Sequence, residues 1–177
     1  EQFYTEYGAN KTLKNAFGFT ASELIHLRKL HAAYHHGDEA FVDAFTRLDS
    51  NIKKSLLDGC EFPWWNNYGV PESEHCMLHR FARDGRLNLI HFFSKENADL
   101  DFKCKNNKGQ NALHIALIHQ QHDVARFLLE QNLDINNPNV RNYNITPYMY
   151  ALMTAKTGEL IDFIEQYKSF SPTLDTD

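Results

Sequence analysis

From Leu78 onward the apolar residues fall into short stripes at helical spacing. In LHRFARDGRLNLIHFFSKENADLD, residues 78–101, Leu89, Phe92 and Phe93 recur at i, i+3 and i+4, and Val124, Phe127 and Leu128 repeat those offsets in LHIALIHQQHDVARFLLEQNLDIN, residues 113–136. Such spacing places the side chains on one side of a helix, a stripe that needs a neighbour to cover it. The two segments align without a gap, Leu78 on Leu113 and His79 on His114, 35 positions apart. A third copy, TPYMYALMTAKTGELIDFIEQY, residues 146–167, sets Tyr148 a further 35 on, and its second stripe, Leu160, Phe163 and Ile164, is displaced by one residue. That displacement reads as an insertion in the turn between helices. Self-similarity at this period predicts stacked helix pairs joined by extended links.

The boundaries carry their own signals. Thr146 followed by Pro147 is a cap with proline at the first helical position, and Asn111 is the equivalent cap one unit earlier. Asn97 and Asn132 stand where each second helix should end, asparagine being the residue after glycine that best tolerates the left-handed exit. Upstream, LHAAYHHGDEAFVDAF from Leu30 repeats the plan loosely, with Phe41, Val42 and Phe45 on its second helix. Thr20 with Glu23 three residues later is a capping-box pattern, which predicts a long first helix from about Ala21. Leu30 and Leu78 are 48 positions apart, 13 more than the period, so an insertion falls within residues 49–73.

Read together, GQNALHIALIHQQHDVARFLLEQNLDIN from Gly109, with its glycine, capping residue, Leu-His, alanine, apolar second helix and exit, resembles the ankyrin-repeat family. The resemblance is good from about Glu72 to Tyr167 and poor before it. It implies an all-α fold, a short solenoid of stacked helix pairs with a degenerate N-terminal repeat, divided into residues 1–71 and 72–177. Departures are a period two residues longer than the usual value of about 33, Gln120 in place of the glycine between helices, and Met149 in place of the repeat histidine. The family histidine, here His31, His79 and His114, is understood to tie the cap to the next repeat by hydrogen bonds.

What the resemblance implies about function is protein binding through the finger tips and the exposed positions of the first helices, which together make the concave face. Carried over slot by slot, the residues are Arg83 and Asp84; Asn107, Lys108, Gln110, Ile118 and His119; and Asn142, Tyr143, Ile145, Met153 and Thr154. In the insertion, Phe62 to Trp65 with Tyr68 bring Trp64 and Trp65, which are expected either to pack onto the stack, the preferred reading, or to form a contact patch.

Composition narrows the rest. A formal charge of −5 with basic residues scattered singly or in pairs gives no stripe for a phosphate backbone, which excludes nucleic acid as the expected partner. Cys60, Cys76 and Cys104 match neither a disulfide scaffold nor a zinc site and fit a reduced, cytoplasmic setting. No apolar run has the length of a membrane span. His31 with His35 and His75 with His79 stand at i, i+4, without the converging third and fourth ligands that zinc normally needs, so no metal is expected. His75 and Cys76 are adjacent and point about 100° apart on a helix, which rules them out as a dyad. Neither a phosphate-binding glycine loop nor a nucleophile elbow occurs, and neither catalysis nor a cofactor is expected.

The chain begins at Glu1 without a methionine, so a rival expectation is a recognition or regulatory piece of a larger enzyme, with further repeats or a catalytic domain elsewhere. A third, less favoured, is a small enzyme with its site in the insertion. Frequent Asn, Lys and Phe point to an AT-rich genome, and ankyrin proteins of intracellular bacteria are often injected effectors, which would place this one in a host cytoplasm.

Overall fold

The computed structural model describes residues 10, 12–14, 19–58, 64–65, 71–72, 77–96, 102–106, 108–131, 133–138, 144–154, 158, 161–162 and 164–166, with the backbone alone at 55, 57–58, 64–65, 71–72 and 154. Its contacts divide the chain into two compact units, Glu1–Glu74 and His75–Asp177.

The first unit is built on α1, Ala21–His36, and α2, Asp38–Thr46, which pack together. α1 starts where the capping box predicts. The Thr20 hydroxyl accepts from the Glu23 N–H at 3.3 Å, and the Glu23 carboxylate accepts from the Thr20 N–H at 2.6 Å. That backbone N–H is the main reason the Glu23 carboxyl lies below its ordinary range. Leu27, Leu30 and Tyr34 form one buried stripe. Gly37, at φ +132°, lets α2 start in the next residue, a backbone region closed to residues with a Cβ. Tyr34 then meets Phe41 edge-on, with ring centroids 5.6 Å apart, and Phe45 completes the buried face of α2.

The insertion holds structure the sequence reading did not resolve. A third helix, α3, Ser50–Asp58, buries Ile52 and Leu56. Beyond it, β1, Trp64–Trp65, pairs antiparallel with β2, Pro71–Glu72, in register Trp64 to Glu72 and Trp65 to Pro71. This two-residue ladder is the one sheet among the described residues of an otherwise helical chain.

The second unit contains α4, Met77–Asp84; α5, Leu87–Glu96; α6, Ala112–Ile118; α7, His122–Glu130; and α8, Pro147–Thr154. α4 packs on α5 and α6, and α6 packs on α7 and α8, so first helices lie side by side. Covered from three sides, α6 buries every residue from Ala112 to Leu117. Each large aliphatic side chain so buried contributes roughly 1.5–3 kcal/mol. Within the first pair, Phe81 of α4 meets Phe93 of α5 with ring centroids 5.5 Å apart, and across the second helices His91 of α5 meets Phe127 of α7 at 4.5 Å. Residues 161–162 and 164–166 are helical, and Ile164 is buried where the displaced third stripe requires it.

The 35-residue period is visible in the backbone as well as the side chains. Gly85 and Gln120 are left-handed between helices, at φ +70° and +57°. Gly109 and Asn144 are left-handed before the first helices, at +77° and +55°. Thr146 caps α8 as expected, its Oγ accepting from the Met149 N–H at 3.1 Å. The expected exits at Asn97 and Asn132 lie outside the described residues.

Candidate protein-binding face

The geometry of the face follows from how each first helix is tied down. Asn111 caps α6, its Oδ1 accepting from the His114 N–H at 3.1 Å, and the His114 ring turns back on the same residue, with Nδ1 2.7 Å from that oxygen. One period earlier, His79 donates from Nε2 to the Gln110 carbonyl at 2.9 Å, joining α4 to the loop that leads into α6. The matching acceptor for His114 is the Ile145 carbonyl, 35 positions after Gln110. It favours the protonated ring, but His114 Nε2 completes no hydrogen bond among the described residues. Burial dominates and lowers the His114 pKa to about 4. Both histidines are buried and spent on the scaffold.

The finger before α6 is closed by its own polar groups. The Asn106 N–H donates to the Gln110 carbonyl at 2.8 Å, and Asn106 Oδ1 accepts from the N–H groups of Lys108 and Gln110 at 3.0 and 2.8 Å. Gln110 cannot therefore be the exposed contact the sequence suggested. Its side chain accepts from Asn106 Nδ2 at 3.0 Å and donates to the Tyr150 hydroxyl at 3.3 Å, and the residue is buried between two repeats. The physical reason is its place just before the cap, where the next repeat covers it.

The other expected positions divide into three groups. Arg83, Lys108, His119 and Met153 are exposed, while Ile118 and Ile145 are half-buried. Asp84 is also on the surface, and its carboxylate is engaged by Arg80 Nε at 2.7 Å and by Arg83 Nε at 4.0 Å. Arg83, Asp84 and His119 come together: burial and the Arg83 charge lower the His119 pKa, and Asp84 opposes them. Gln121 Nε2 donates to the Arg83 carbonyl at 3.2 Å and locks the two turns side by side. Asn107, Asn142 and Tyr143 lie outside the described residues, and of Trp64, Trp65 and Thr154 only the backbone is described. Cys60, His75 and Cys76 are also outside; Cys104 is buried. Among the described residues no group of three or more His, Cys, Asp or Glu is placed to hold a metal ion.

Comparison with known proteins decides what this stack is. A family model described as ankyrin repeats, three copies, matches residues 29–139 and again 78–165. The chain belongs to the ankyrin-repeat family. The first match begins inside α1, so the last part of that helix and all of α2 fall within the family's span. Among relatives, the Notch-regulated ankyrin repeat-containing protein of Xenopus tropicalis is 32% identical over 97 residues, 53% of this chain and 81% of that one. A putative ankyrin repeat protein of Rickettsia conorii is 30% identical over 67 residues, 36% of this chain and 96% of that one. The tyrosine-protein kinase Shark of Drosophila melanogaster is 26% identical over 137 residues, 66% of this chain but only 14% of the kinase. In fold, the chain matches one from the crystal structure of the yeast ribosomal protein Rps3 in complex with its chaperone Yar1, with TM-score 0.58, 21% identity and coverage of 83% and 93%.

Ankyrin repeats are protein-interaction modules and are in general not catalytic, and here the repeat slots align across three first helices. The row Arg83, Ile118, Met153 runs from charged to apolar across the ankyrin stack. Sequence reasoning missed Tyr150, which anchors Gln110 and stacks edge-on to His114 with centroids 6.0 Å apart. Its signal was available, since it occupies the slot of the buried Ile115. No helix among the described residues is long and apolar enough to cross a membrane.

Proposed function

We propose that this chain is a non-catalytic module that takes another protein through the exposed ends of its first helices. The observation that carries the reading is the row Arg83, Ile118, Met153, in which Met153 is 71% exposed although it is large and apolar. Isolated exposed apolar residues need no explanation, but this one continues a slot that Arg83 and Ile118 also present to solvent. The face suits a partner that sets an apolar side chain on Met153 and an acidic one near Arg83. At that end Arg83 is exposed, with its Nε 4.0 Å from the Asp84 carboxylate. Fixed helices cost little to order on binding, which favours a preformed surface.

Photo-cross-linking tests this directly. A photoreactive residue at position 153 should capture a protein that the same residue at Asp123 or Glu130, on the outer side of α7, does not. Capture only from α7 positions would refute the reading.

The kinase relative favours a second reading, in which these repeats are a recognition or regulatory segment of a longer enzyme, because there a stretch like this one occupies a small part of an enzyme's length. The mass of the native protein separates the two. The bacterial relative accords with an effector role, and the buried thiol Cys104 with work in a reducing cytoplasm, that of a host if the protein is an effector.

A further inference from the structure

The described sulfur atoms are divided between the interior and the surface of α8. Met77 and Cys104 are buried, whereas Met149 is 49% exposed and Met153 71%. The two exposed methionines stand four positions apart on α8, the spacing that sets side chains on one side of a helix. Their slots differ. Met149 occupies that of the buried His79 and His114, while Met153 occupies that of Arg83 and Ile118, the row through which a partner is proposed to bind.

A thioether is an apolar group that a hydroperoxide makes polar. The sulfur lone pair attacks a peroxide oxygen, so that an S–O bond forms and the O–O bond breaks, and the leaving hydroxide takes up a proton to become water. Sulfur is oxidised by two electrons to the sulfoxide and the peroxide is reduced by two. A thiol-dependent sulfoxide reductase reverses the change, two thiols becoming a disulfide while the oxygen leaves as water. Ile118 shows that an aliphatic side chain serves in this slot one repeat earlier, and an aliphatic side chain is not open to this reaction. Exposure decides which sulfur reacts first. Peroxide reaches Met153 directly, while Met77 and Cys104 are covered by the packing of the stack. The face therefore changes character before the core does, and the repeats stay folded.

We propose that Met153 is a redox-sensitive contact: a hydroperoxide turns the apolar end of the row Arg83, Ile118, Met153 polar and releases the partner, and reduction of the sulfoxide restores binding. This control presupposes the proposed binding through that row.

The test uses the chain and the protein captured from position 153. On graded peroxide treatment, mass spectrometry should find one added oxygen at Met153 at least about tenfold faster than at Met77. The oxidised chain, its melting temperature unchanged, should bind at least about tenfold more weakly, and a methionine sulfoxide reductase should restore the affinity. Met153→Leu, which keeps all three cysteines, should bind within about threefold of the unmodified chain and ignore peroxide. Met149→Leu should stay as sensitive as the unmodified chain. Oxidation of Met77 as fast as of Met153, an oxidised chain of unchanged affinity, peroxide sensitivity that persists in Met153→Leu, or its loss in Met149→Leu overturns the proposal. Unchanged affinity in Met153→Ala would sink the binding reading itself; a loss in Met153→Ala with none on oxidation would sink the switch alone.

Discussion

Gln120 holds, at φ +57°, the left-handed backbone that Gly85 holds at φ +70° one period earlier. The turn between helices needs that conformation whichever residue supplies it, and a side chain there costs about 1–2 kcal/mol relative to glycine. Gln120→Gly should therefore stabilise the stack by about 0.5–1 kcal/mol after the added freedom of glycine in the unfolded chain is subtracted. Gly85→Ala should lower stability by about 1–2 kcal/mol, and its new Cβ would run into the flexible Gln121 side chain that donates to the Arg83 carbonyl. Denaturant unfolding of both variants checks the pair. No gain from Gln120→Gly would mean that Gln120's own contacts offset the strain.

Acid should loosen the same stack through His114. Burial lowers its folded pKa to about 4 from the ordinary histidine value of 6.5, so the unfolded chain binds the proton more readily between those values. The neutral ring's contribution is complete above about pH 6.5 and is lost as pH falls toward 4, amounting to roughly 2–4 kcal/mol. Melting between pH 7 and pH 4 should show this slope, and His114→Ala should flatten it while costing about 1–3 kcal/mol at pH 7. A chelator should change neither curve; an equal drop in melting temperature with EDTA would point to a bound metal.

Gln110 separates scaffold from binding face. Gln110→Ala removes the bonds to Asn106 Nδ2 and Tyr150 and should cost about 1–2 kcal/mol. Amide exchange should quicken at Asn106 and Gly109, whose N–H groups close the finger. If stability is unchanged and partner binding falls instead, Gln110 belongs to the interface after all.

What was legible in the sequence was the local chemistry. Thr20, Asn111 and Thr146 announce their helices because a capping side chain acts within three residues, and the period of 35 reappears at Gly85 and Gln120, and at Gly109 and Asn144, because each turn is set by its own few dihedrals. Burial between repeats was less legible. Gln110 resembles any polar residue before a cap, and only the neighbouring His79 and Tyr150 make it part of the interior. Within the insertion, Ile52 and Leu56 are a single i, i+4 pair on α3, and a ladder of two residues from Trp64 is too short to show alternation. Arg83, His119 and Met153 were found by slot alone, since nothing in an isolated repeat distinguishes a contact from a solvated side chain.

The central claim is that partners bind across the row Arg83, Ile118, Met153. Titration calorimetry of the protein captured from position 153 against three chains tests it: the unmodified chain, Met153→Ala, and Glu130→Ala on the outer side of α7. Truncating an interface anchor costs about 2 kcal/mol or more, so Met153→Ala should weaken affinity by at least about tenfold, and Glu130→Ala by less than about twofold, with melting temperatures unchanged. Equal affinities for all three chains, or a loss confined to Glu130→Ala, would contradict the account.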